Sequence, residues 1–125
     1  MAQIIEDYCS FELSKLLKEK GFDIYCTTAY FNGGLVDYTM FGFCDGELLP
    51  APSLSLACKW LRVRHNLNVE VYRTACGYIG CIVAVPSGTD IKFLEDDGDD
   101  KASGQYTEPE LVYEAAIKYC LEYLI

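Results

Sequence analysis

Three turn signals constrain this chain more than any other feature. Asn32-Gly33-Gly34, the "CGYIG" stretch from Cys76 to Gly80, and Pro86-Ser87-Gly88 each separate runs rich in aromatic and β-branched residues. Glycine supplies the positive φ that tight hairpin turns demand. Strands joined so closely pair antiparallel, and their apolar face must then be covered. Three amphipathic segments are available to cover it. The expectation is an α+β fold in one two-layer domain over residues 1–125. An antiparallel sheet of four or five strands carries three helices, in the order α-β-β-α-β-β-(β)-α. A chain of 125 residues suits one such core.

The first helix is "FELSKLLKEKG". Ser10 is placed to cap it, Leu13, Leu16 and Leu17 share a face, and Gly21 suits the left-handed position after its end. Residues before Ser10 either extend it or form a short strand. Two strands then meet at "NGG". In the second, Val36, Tyr38 and Met40 alternate with Asp37 and Thr39, which predicts one wet face. "CDGELLPAP" reads as a loop.

Pro52 and Ser53 open the second helix, and Leu56, Ala57, Trp60 and Leu61 fall on one face. That spacing predicts a buried Trp60, packed with Leu56, Leu61 and part of the last helix. Asn66 can end the helix in a left-handed conformation. "CIVAV" is apolar on both faces and reads as a central strand, while "IKF" alternates and reads as an edge. Thr107, three residues before Glu110, predicts a capping box with Pro109 in the first turn. Leu111, Val112, Ala115, Ala116, Tyr119, Cys120, Tyr123 and Leu124 make a broad apolar stripe in the last helix.

Charge excludes some functions. The chain carries 19 acidic and 10 basic side chains, and nine of the acids fall after residue 94 with only two bases. A net charge of −9 repels nucleic-acid phosphates. No run of 18 apolar residues is present, so no membrane-spanning helix is expected. The start "MAQIIEDYCSFELSK" is acidic and lacks the apolar core of an export signal, so the expected location is cytoplasmic. Seven cysteines in such a setting read as reduced and structural rather than as a disulfide framework.

Three stretches, "SFELSKLLKEKGFD", "LPAPSLSLACKWLRVRHNLNVEVY" and "TEPELVYEAAIKYCLEYLI", together resemble a family of small uncharacterised proteins. These are common in gut Bacteroides-type bacteria and in their phages and mobile elements. The resemblance covers most of the chain, and "LPAPSLSLACKWLR" is its most specific part. It implies a bacterial or phage cytoplasmic setting, and it implies no catalytic residue.

Few chemical constellations survive inspection. His65 with a cysteine would make a nucleophile and its base, but no local thiol-protease signature accompanies it. Cys76 and Cys81 have zinc-compatible spacing, yet no second pair completes a ligand set. They read instead as facing each other across a hairpin or pointing into the core. "EDDGDDKASG" lacks the register of a calcium loop and reads as a mobile acidic turn. No phosphate-binding glycine loop, catalytic serine elbow or zinc-protease helix motif occurs. No cofactor and no metal is therefore expected.

The remaining candidates for contact are the basic group Lys59, Arg62, Arg64, His65 and Arg73, and the acidic group Asp96, Asp97, Asp99 and Asp100. The first expectation for function is a small acidic module that binds a protein partner. The alternatives are an acidic DNA mimic that occupies a nucleic-acid-binding protein, and a thiol-dependent enzyme that uses a Cys with His65.

Overall fold

In the computed structural model, the described residues are 7–24, 26–31, 34–37, 49–75, 77–94 and 106–125. The first helix, α1, spans Phe11–Glu19, and the Ser10 hydroxyl accepts from the Leu13 N–H at 3.3 Å. At its far end the Phe22 N–H reaches the Leu17 carbonyl at 2.9 Å and the Gly21 N–H reaches Lys18 at 3.2 Å. These paired bonds satisfy carbonyls that the helix leaves open, and they require the left-handed backbone of Gly21, φ 93°. Leu17 and Phe22 both join the core as a result. Residues before Ser10 do not extend the helix. Tyr8 bridges Ser53, with Cys9 N–H donating to Pro52 and Leu54 N–H to Asp7.

The strands form two antiparallel sheets of three strands each, where the sequence predicted a single sheet of four or five. In the first sheet, β1 (Thr28–Phe31) is central. β2 (Gly34–Asp37) lies on one edge and β3 (Leu49–Pro50) on the other. The predicted loop thus contains a strand. It is too short to show alternation, and Pro50, without an N–H, suits an edge. The pairing Phe31↔Gly34 leaves Asn32 and Gly33 as the connection, as the turn signal predicts. Tyr38, Thr39 and Met40 lie outside the described residues. Turn signals specify which strands pair locally, but not how hairpins combine into sheets.

The second sheet holds β4 (Leu67–Thr74), β5 (Gly77–Ala84) and β6 (Asp90–Leu94), with β5 central and β6 at an edge, as their patterns predict. Thr74 pairs with Gly77, so Ala75 and Cys76 are the connection, and Cys81 faces Glu70 rather than Cys76. Cys81 is buried, the core position that is the other expectation for it. The described order is α-β-β-β-α-β-β-β-α.

Helix α2 spans Leu54–His65. The Ser53 hydroxyl accepts from Leu56 N–H at 3.1 Å, and Asn66 closes the helix at φ 56°, ψ 37°. Leu54, Ala57, Trp60 and Leu61 are buried along it. Helix α3 spans Pro109–Tyr119 and continues as a π-helical turn, Cys120–Leu124. Its N-cap is Glu108, not Thr107, and no side chain caps it. Pro109 explains this: a residue before proline is kept out of the helical region, so the helix starts at the proline.

The buried face of α3 also differs from the predicted stripe. Val112, Ala116, Ile117, Cys120 and Leu121 are buried, while Leu111 and Tyr123 are exposed. The helix is apolar on nearly every side. Its polar line is Glu110, Glu114, Lys118 and Glu122, spaced by four. The buried face lies opposite that line, so polar rather than apolar spacing identifies it. α1 runs beside α3 in the same direction. Ser10 N–H donates to Glu114 at 3.2 Å near one end, and Lys20 Nζ to the Ile125 carbonyl at 3.1 Å near the other.

Candidate functional site

Burial controls the thiol chemistry. Cys9, Cys26, Cys58, Cys81 and Cys120 are free thiols. Loss of hydration pushes Cys9 and Cys120 up to about 12, reinforced by the Glu114 charge at Cys9 and by Cys58 at Cys120. Cys58 rises to about 11 through burial, against a lowering pull from Arg62. Cys81 rises to about 11 through burial and then the Asp90 and Glu70 charges, and burial raises Cys26 as well. A nucleophilic cysteine needs the thiolate at neutral pH, and these environments oppose it. Among the described residues, His65 makes no hydrogen bond to a thiol. Its ring lies edge-on to Trp60, 4.7 Å between centroids.

Among the described residues, no group of three or more His, Cys, Asp or Glu side chains is placed to hold a metal ion. Cys44 and Cys76 lie outside them. No described helix is long and apolar enough to cross a membrane.

The basic group predicted from sequence is divided between α2 and β4. Lys59, Arg62 and Arg64 are exposed on α2, and His65 is half-buried at its end. Arg73 sits on β4, six residues beyond Leu67, roughly 20 Å along the strand. There it stacks over Tyr78 at 5.9 Å. Four of the five residues therefore lie on α2 and the fifth on β4. Asp96, Asp97, Asp99 and Asp100 lie outside the described residues, as does the rest of the acidic turn. Its flanks are described. Leu94 pairs with Gly80 and Tyr106 with Tyr78, so the chain departs from and returns to the same edge of β5.

The opening beside α2 was not evident from the charge pattern alone. Ile24, Leu56, Trp60 and Val63 line a groove of about 270 Å³ with Lys59 and Arg64 at its margin. Val63 is 62% exposed. Leu56, Trp60 and Val63 fall at i, i+4 and i+7, so a second apolar line on this helix is readable in the sequence. Arg64 approaches Asp23 at 4.0 Å, both side chains being largely exposed. An ion pair of that kind is weak, about 0–1 kcal/mol, and competes poorly with a better-placed carboxylate.

A second opening, about 670 Å³, lies between α1 and α3. Glu12, Glu19, Glu114 and Glu122 line it together with Lys15 and Lys118, and Lys118 approaches Glu122 at 3.8 Å. Opposite charges interleave there without a buried polar group to organise a ligand. It reads as a wet cleft between two parallel helices.

Comparison with protein-family models, curated proteins and solved structures gives no match.

Proposed function

We propose that this chain is a non-catalytic protein-interaction module whose contact surface is the outer side of α2. One observation carries the reading. Val63, largely exposed, joins Leu56, Trp60 and Ile24 in an apolar groove bordered by two cations. Apolar centre and charged margin are the arrangement of a contact site, and a lone exposed valine would mean nothing by itself. The thiol environments count against the alternative of a cysteine nucleophile. A bacterial or phage cytoplasmic setting belongs to the same proposal and rests on the family resemblance.

The test is site-specific cross-linking in cells of the source. A photoreactive amino acid replaces Val63 in one variant and Ser87, on an exposed turn, in another. The expected result is one protein cross-linked from position 63 and not from position 87, whose purified form binds the wild-type chain. Equal cross-linking from both positions, or none from position 63, overturns the reading.

A further inference from the structure

We infer that the α2 groove receives an acidic peptide segment with an apolar anchor. The anchor sits on Leu56, Trp60 and Val63, and its flanking carboxylates meet Lys59 and Arg64. The inference rests on α2 being the contact surface and adds the chemistry of what binds there.

Charge complementarity carries the argument. Helix α2 has three Lys or Arg residues and His65 but no Asp or Glu, in a chain where acids outnumber bases 19 to 10. Part of this has a local cause. Arg62, Arg64 and His65 occupy the last turn, where cations favour the helix dipole. Lys59 lies before that turn, so the dipole does not account for it. Lys59 and Arg64 are five residues apart and both border the groove. Asp23 lies at this margin, 4.0 Å from Arg64. A ligand carboxylate would compete with it for Arg64.

Trp60 lines the groove and is 5% exposed, so its ring forms part of the apolar floor on which the anchor sits. The groove, about 270 Å³, has room for an apolar anchor of one or two side chains.

Two capped peptides are the probes: acetyl-Asp-Glu-Leu-Phe-Glu-Asp-amide, and acetyl-Lys-Lys-Leu-Phe-Lys-Lys-amide with the same apolar centre. Each is titrated into the full ¹⁵N-labelled chain, and the indole N–H resonance of Trp60 is followed, the chain having one tryptophan. The acidic peptide should move this resonance saturably, and the lysine peptide should not over the same concentrations. Lys59→Glu with Arg64→Glu should weaken the acidic peptide at least about tenfold at unchanged melting temperature, as lost charge complementarity does. Asp23→Asn should strengthen it, because Arg64 loses its competing partner. Equal responses to both peptides, no saturable shift, or unaltered affinity in the double variant overturns the inference. If the acidic peptide fails while position 63 still cross-links one protein, the acidic chemistry falls and the contact surface stands. If both fail, the surface falls too.

Discussion

Val112 Cγ1 occupies the space that a Cβ on Gly80 would need. The absence of a side chain at Gly80 lets α3 approach the central strand of the second sheet, and the Glu70 carbonyl and Leu94 close the site from either side. Gly80→Ala should therefore destabilise the chain by about 1–3 kcal/mol, the usual cost of overpacking. Gly80→Ala combined with Val112→Ala should recover part of that loss, since the two changes share one contact. Denaturant unfolding of the four members of this cycle measures the coupling. Additive losses would mean that the helix does not rest on Gly80.

Trp60 separates packing from hydrogen bonding. Its ring meets Phe22 edge-on at 5.4 Å and His65 at 4.7 Å, and it shares the core with Leu61, Ile117 and Leu121. Trp60→Ala should cost about 3–5 kcal/mol. Trp60→Phe should cost much less, because it keeps an aromatic ring and removes a donor that has no partner. A Phe variant as unstable as the Ala variant would show that the indole itself, and not merely an aromatic ring, is required there. Thermal unfolding followed by far-UV circular dichroism distinguishes the two outcomes.

Helices α2 and α3 test cap identity. Ser53→Ala removes the acceptor for Leu56 N–H and should cost about 1 kcal/mol. Thr107→Ala should change stability by less than about 0.5 kcal/mol, because the N-cap is Glu108 and no side chain bonds there. Denaturant midpoints of both variants check the assignment. A larger loss at Thr107 than at Ser53 would restore the capping box that the sequence predicts.

These residues also show what was readable before the fold was known. Ser10, Ser53, Gly21 and Asn66 act within one helical turn of themselves, so their roles follow from local chemistry, and the structure places each as the sequence predicts. "CIVAV" holds the centre of its sheet because apolar character on both faces has a direct consequence for burial. The division into two sheets is a long-range choice, made by β1 pairing with the distant Leu49–Pro50, and no local pattern encodes it. Lys59, Arg62, Arg64 and His65 share a helix, while Arg73 lies on β4. Val63 was legible as spacing but masked by the two arginines on either side.

Alkaline pH provides the last test, and its sign follows from the thiols. Cys9, Cys58 and Cys120 have their pKa values raised in the folded chain to about 12, 11 and 12, chiefly by burial, above the ordinary value of 9.0. The unfolded chain releases these protons first as pH rises. Below about pH 9 both states hold them and stability is unaffected. Between about pH 9 and 12 the unfolded state is the one that gains by ionising, so stability falls. Each thiol contributes a slope of up to roughly 1.4 kcal/mol per pH unit. Lysines and tyrosines titrate over the same range, so the informative quantity is a difference between variants. Cys9→Ala with Cys120→Ala should lower stability at pH 7 through lost packing, and should also flatten its decline between pH 9 and 10.5. Urea unfolding at half-unit pH steps measures both slopes. Parallel slopes for the double variant and the wild type would mean that these two thiols do not stay protonated in the folded core.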